Sequence, residues 1–254
     1  LIELNAEDND GTTAFMMACL DGHKVVVQLL LDRPNLSIDL NARDNGGVTA
    51  FMLACYKGHT DVVQLLLDFS KIIELNARDN VGFTAFMWAC TNGHKDVVKL
   101  LLDHSVRING RITADGWTPF MLACQNGHKN VVQLLLDHSY SNIGLNAQRS
   151  SGRKAGGAFV REHTERCDSR ANDTGGTTAL MWACDIGRRA IGKSILSHVE
   201  WSRMYLTNTK IELNTINNDG FTPFMTACLK KRKRVIDLLA EYRNIVLEGD
   251  PRFT

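Results

Sequence analysis

One glycine recurs along this chain at almost constant spacing. Gly11, Gly47, Gly82 and Gly116 each open the run G-x-T-[AP]-F-M-x-A-C-x-x-G-H-x-x-V-V-x-L-L-L-D, and they lie 36, 35 and 34 residues apart. Two weaker copies follow, G-T-T-A-L-M-W-A-C-D-I-G-R from Gly176 and G-F-T-P-F-M-T-A-C-L-K-K-R from Gly220. Self-similarity at a fixed period of this length is the signature of a repeat array. Each unit is too small to bury its own apolar face and is stabilised by stacking on the next.

Within one copy the apolar spacing predicts two short helices. Phe51, Met52, Ala54 and Cys55 share one face of the first, while Val62, Val63, Leu65, Leu66 and Leu67 give the second a broad stripe. Thr49 stands where an N-cap hydroxyl accepts from the free amides of the first turn. Gly58 stands where a helix ends on a left-handed residue. Helices of about ten residues do not persist alone in water, so burial against neighbouring copies must hold them, each buried Leu or Val contributing roughly 1.5 to 3 kcal/mol. D-N-D-G, D-N-G-G, D-N-V-G and T-A-D-G between copies are turn sequences at hairpin tips.

These residues resemble the ankyrin repeat, whose consensus is D-x-x-G-x-T-P-L-H-x-A-A-x-x-G-H-x-x-V-V-x-L-L-L. The match covers most of residues 4 to 137 in four consecutive copies and resumes over 173 to 240. The resemblance implies an all-α ankyrin-repeat solenoid of helix-turn-helix units joined by hairpin loops. The chain departs from the family at two slots. Pro is Ala14, Ala50, Ala85 and Ala179, kept only as Pro119 and Pro223, and the His of T-P-L-H is replaced by Met16, Met52, Met87, Met121, Met181 and Met225. The family's Thr-to-His side-chain bond is therefore absent, a flexible thioether fills the space, and somewhat looser packing is expected. The second family His, which ties adjacent copies by bonding loop backbone, carries over to His23, His59, His94 and His128. Arg188 and Arg232 replace it in the last two copies.

The pattern breaks near residues 149–172. Leu145, Asn146 and Gly152 announce a copy, yet Gly152 to Gly176 is only 24 residues and has no leucine stripe. The sequence thus reads as four well-matched repeats over 1–150, a degenerate or truncated repeat or linker over 151–172, and two divergent repeats over 173–254 with a long connector and a C-terminal cap. The break is either a real insert or the product of a reading-frame slip. Three copies are usually needed for stability, so two separate unfolding steps are expected, the C-terminal pair melting first. Trp201, Met204 and Tyr205 in the connector are expected to add a helical turn.

A chain with 29 Lys+Arg against 28 Asp+Glu and 44% apolar residues has the composition of a folded soluble protein, with no whole-chain field for nucleic acid or anionic membranes. No apolar run exceeds seven residues, where a membrane span needs about twenty. The chain opens on Leu1 inside a hairpin, so it reads as part of something longer. Six of seven cysteines, Cys19, Cys55, Cys90, Cys124, Cys184 and Cys228, share one slot and read as buried thiols in a reducing compartment. Each copy offers a Cys and a His four residues apart, two ligands where structural zinc needs four, so no metal or other cofactor is expected. Cys167, off the pattern, reads as incidental. Lys230, Lys231, Arg232, Lys233 and Arg234 read as a solvated cap on the last copy, or as a nuclear-import signal.

No catalytic constellation is visible, and no enzyme activity is expected. Residues free to differ between copies occupy the slots that, by the ankyrin resemblance, line a concave groove for protein partners. They are Asp10, Val81 and Asp115 at the tips; Thr12, Val48, Phe83 and Trp117 after the aligned glycine; and Leu20, Tyr56, Thr91 and Gln125 after A-C. Tyr56, Phe83 and Trp117 are the expected hot spots, unless they merely cover the helix beneath. The function expected is a protein-protein interaction or scaffold module, monomeric within a longer chain, intracellular and most readily cytoplasmic, that binds an unidentified protein but no small-molecule substrate. The alternatives are a regulatory segment of a larger enzyme, channel or signalling protein, and a decaying reading frame.

Overall fold

A computed structural model describes residues 3–33, 37–104, 116–138, 147–148, 176–204 and 213–247, with side chains in the last two stretches to 198 and 241. Asp115, the break over 149–172 with Cys167, and Tyr205 lie outside the described residues. Among those residues there are twelve helices and no strand. They run α1 Ala14–Leu20, α2 Lys24–Leu31, α3 Ala50–Lys57, α4 Thr60–Asp68, α5 Ala85–Asn92, α6 Lys95–Asp103, α7 Pro119–Asn126, α8 Lys129–Asp137, α9 Ala179–Ile186, α10 Arg189–Met204, α11 Pro223–Leu229 and α12 Lys233–Leu247.

Every first helix starts in the same way. Thr13, Thr49, Thr84, Thr118, Thr178 and Thr222 keep extended backbone, and each hydroxyl accepts from the amide of the methionine three residues on, at 3.0 to 3.4 Å. One orphan donor of each helix is satisfied this way. The methionine substitution also has a local outlet, since the Thr13 amide donates to the Met16 sulfur at 3.4 Å. Met16, Met52, Met87, Met121 and Met181 are all buried.

Ahead of four of the helix pairs, among the described residues, a carboxylate or amide side chain closes the turn. Asp8, Asp44, Asp79 and Asn217 each accept on Oδ1 from the amides two and four residues on, at 2.7 to 3.1 Å. The D-N-x-G runs are thus Asx turns with a mechanism.

The described residues divide into two compact units, one within 1–114 and one within 115–153 and 169–254. In the first, α1, α3 and α5 stack in order, as do α2, α4 and α6. Its core is Phe15, Phe51 and Phe86 with Met16, Met52 and Met87, Trp88, and the second-helix residues Val27, Val62, Val63, Leu66, Val97, Val98 and Leu101. In the second, α7 packs on α9 and α9 on α11, while α8 packs on α10 and α10 on α12. This unit therefore holds three helix pairs, and the pair before the break is one of them. The register explains why. Gln148 donates to the Ile216 carbonyl at 2.9 Å, as Arg43 does to the Arg78 carbonyl at 2.7 Å one copy on. Residues 147–148 thus lead into the copy that resumes at Gly176.

Most helices are shorter than the expected ten residues, at seven to nine. The exceptions are α10 with 16 and α12 with 15. The extra turn foreseen in the connector is the C-terminal extension of α10, which runs through Trp201 to Met204.

Candidate protein-binding surface

At the hairpin tips Asp8, Asn9, Asp10, Asn45 and Asn80 are exposed, and Val81 is half-buried. Their backbone is fixed from copy to copy. The Asn45 amide donates to the Asp10 carbonyl and the Asn80 amide to the Gly46 carbonyl, both at 2.9 Å. Asn45 Nδ2 adds a bond to the Asn9 carbonyl and Asn80 Nδ2 one to the Asn45 carbonyl, each 3.0 Å. The tips of the first unit therefore form a hydrogen-bonded row that holds its own geometry and keeps polar groups in water.

The expected aromatic stripe lies deeper. Val48, Phe83, Thr91, Trp117, Tyr56 and Gln125 are all buried, with Tyr56 8%, Phe83 2% and Trp117 6% exposed. Thr12 and Leu20, in the first copy, are half-buried. The covering residues are tryptophans that sequence reasoning passed over. Trp88 meets Tyr56 of the preceding copy edge-on at 5.5 Å and Phe83 of its own copy at 4.9 Å, and Trp182 stacks on Trp117 at 5.4 Å. Tyr56 and Trp117 each lie beneath the tryptophan of the following copy. The signal was available, because Trp88 and Trp182 stand in the variable slot between Met and Ala of F-M-x-A-C.

Asp79 was also missed. Beyond its turn it accepts from the Trp88 indole nitrogen at 3.1 Å, and it is buried, which pushes its carboxyl up to about 6 against the pull of its hydrogen bonds. Burial raises Asp44 in the same direction.

Ties between copies run along the opposite end of the first helices. The His59 Nε2 proton donates to the Leu20 carbonyl at 2.9 Å and that of His94 to the Tyr56 carbonyl at 2.8 Å, as the ankyrin resemblance implied. Burial lowers the His94 pKa, and the neutral imidazole suffices for this bond. Arg232, which replaces the histidine in the last copy, makes the same tie, its Nε donating to the Asp185 carbonyl at 2.8 Å. Lys230 pairs with the Asp185 carboxylate at 3.2 Å. Two members of the basic run therefore bind the copy before them, leaving Lys231, Lys233 and Arg234 exposed.

The motif cysteines in the first unit (Cys19, Cys55, Cys90) and in the second (Cys124, Cys184) are buried free thiols, and Cys228 is exposed. Burial pushes Cys19 and Cys184 up to about 12. Thiols raised in this way stay protonated at neutral pH and are weak nucleophiles there. Among the described residues no three His, Cys, Asp or Glu side chains converge on a metal position, and no helix is long and apolar enough to cross a membrane.

Comparison with known proteins agrees with this architecture. The family model for ankyrin repeats (3 copies) matches residues 1–79, 69–148 and 154–248. No curated protein matches the chain. Among solved structures, the ankyrin repeat domain of Bcl-3, described as a unique member of the IkappaB protein family, is 25% identical, covering 94% of this chain and 86% of its own with a TM-score of 0.67. An ankyrin repeat domain from Acinetobacter baumannii AYE is 19% identical over 90% of this chain and 96% of its own, with a TM-score of 0.65. With threonine-capped helix pairs stacked copy on copy and a family model matching nearly the whole chain, the chain belongs to the ankyrin repeat family.

Proposed function

We propose that this chain is a protein-binding module that recognises its partner through the hairpin tips and the first-helix residues next to them. Ankyrin repeats are generally protein-protein interaction modules. The observation that carries the reading is the row of exposed Asp8, Asn9, Asp10, Asn45 and Asn80 side chains on a backbone already cross-linked by hydrogen bonds. A preorganised polar edge loses little entropy on binding and suits partner groups that donate hydrogen bonds or carry positive charge. In this reading Asp10, Thr12, Leu20 and Val81 touch the partner, with Asp115 at the equivalent tip. Tyr56, Phe83 and Trp117 shape the surface from beneath, and Val48, Thr91 and Gln125 do the same.

The chemistry of catalysis is not part of this reading. The buried thiols fit an intracellular, reducing compartment. A scaffold role follows if each unit engages a different partner.

The test is chemical cross-linking of the full chain in cell extract, followed by mapping of the linked positions. Asp10→Lys with Asn45→Lys is expected to lose the specific partner while keeping its helicity. Retention of that partner by the double variant, with cross-links confined to the second helices, would remove the proposal.

A further inference from the structure

The turn between the two helices of a copy carries charge differently in the two units. The first two positions of the second helix are exposed in every described copy, so their exposure belongs to the slot and not to any neighbour. In the first unit those positions hold Lys24 and Val25, Thr60 and Asp61, Lys95 and Asp96. Both signs are present in equal measure, and Asp61 and Asp96 put an acid in the first turns of α4 and α6. In the second unit the same positions hold Lys129 and Asn130, Arg189 and Ala190, Lys233 and Arg234. No acid stands in the first turn of α8, α10 or α12.

The three turns of the second unit adjoin one another. A Cβ on Gly127 would stand 2.7 Å from Cζ of Arg188 in the following copy, and one on Gly187 would stand 2.9 Å from Cδ of Arg232. Arg188 is exposed, unlike the half-buried His59 and His94 at the same slot. Among the described residues of these turns and the helix starts after them, the acids are Asp185 and Asp237. Asp185 is taken by Lys230 at 3.2 Å, and Asp237 sits one turn beyond Lys233 on α12. Lys129, Arg188, Arg189, Lys233 and Arg234 thus outnumber the carboxylates beside them and form an edge of one sign. Like charges held side by side repel, and a chain of carboxylates laid along them removes that repulsion.

Helices packed side by side lie about 8 to 10 Å apart, so three turns span about 20 Å, the reach of about six residues of extended chain. A segment running along the edge therefore advances about three residues per copy. The turns carry no Phe, Tyr or Trp on which nucleic-acid bases could stack. We propose that this edge docks an extended acidic segment of a protein partner, whose Asp and Glu side chains pair with Arg188, Arg189, Lys233 and Arg234. The edge lies at the end of the first helices opposite the hairpin tips. The proposal is thus independent of the tip surface and gives the second unit a partner of its own.

Fluorescence anisotropy of a labelled peptide of Glu-Glu-Ser repeats, titrated with the full chain at low and at physiological salt, tests it. Saturable binding that weakens as salt rises is expected. Arg189→Glu with Lys233→Glu should weaken it about tenfold or more, whereas Lys95→Glu, at the same slot of the first unit, should change it less than about twofold. Each new Glu enters a first helical turn, where an acid favours the helix, so these variants keep the circular dichroism of the unaltered chain. Asp10→Lys with Asn45→Lys is expected to leave peptide binding in place, which separates this edge from the tips. Absence of saturable binding, or an equal loss in Lys95→Glu, would overturn the proposal. So would single-stranded RNA that binds more tightly than the peptide and is lost in Arg189→Glu with Lys233→Glu.

Discussion

The imidazole of His59 lies across Gly22 of the preceding copy so closely that a Cβ on Gly22 would stand 2.5 Å from Nδ1. The same holds for His94 over Gly58. The G-H dipeptide of the motif is therefore one contact read across two copies. The glycine gives room and a left-handed helix end, with φ 73° at Gly22 and 82° at Gly58, and the histidine of the next copy fills that room.

Gly58→Ala must then fail twice, through the left-handed backbone at roughly 1 to 2 kcal/mol and through the clash with His94. His94→Ala, which leaves the Tyr56 carbonyl short of a donor, should cost about 1 to 3 kcal/mol. The double variant is expected to be less destabilised than the sum, because removing the ring removes the clash. Urea unfolding of the two single variants and the double variant measures this.

At the corresponding helix end of the last copy stands Lys231, with φ 54°. A non-glycine residue is strained there. Lys231→Gly is expected to stabilise the second unit by about 1 kcal/mol, seen as a higher urea midpoint with unchanged slope.

Asp79 gives the first unit a pH dependence of definite sign. Its folded carboxyl is raised from 3.8 to about 6, so the folded state holds the proton more tightly than the unfolded chain. Stability from this group is fully present below about 4 and is lost as pH rises through about 6, by up to about 3 kcal/mol. His94 acts oppositely, since its lowered pKa removes stability as pH falls below its ordinary range. The difference in unfolding free energy between the unaltered chain and Asp79→Asn isolates the aspartate. It should shrink between pH 4 and 7.

Trp117→Ala is expected to destabilise by about 3 to 5 kcal/mol, in the range of Leu66→Ala, which should cost about 2 to 5. The sequence left open whether Trp117 and Tyr56 are hot spots or merely cover the helix beneath. Both pack against a tryptophan of the following copy, Trp182 and Trp88. Thermal denaturation of the two variants side by side decides, with Asp10→Ala as an exposed reference near zero.

Much of this fold was legible because its determinants are local and recur. Threonine caps, turn aspartates and C-terminal glycines act within a few residues, and repetition averages out ambiguity in any one copy. What was hidden depends on contacts about 35 residues away. Variation between copies marked Tyr56, Phe83 and Trp117 as surface. A slot also varies when its neighbour in the next copy varies with it, as Tyr56 does against Trp88. The tie made by Arg232 was hidden for a similar reason, since a guanidinium and an imidazole look unlike in sequence and donate to the same carbonyl. The pair α7 and α8 groups with the copies after the break because it packs on α9 and α10, and the residues between them in sequence hide that contact.

Recurrent residues face inward along each stack, and the motif cysteines report that placement. Titration of native thiols in dilute solution reaches it most directly, in a Cys167→Ser variant that removes the off-pattern cysteine. One thiol per chain, Cys228, should react at once, and the five others only as the chain unfolds. Prompt reaction of several thiols in the folded chain would contradict it.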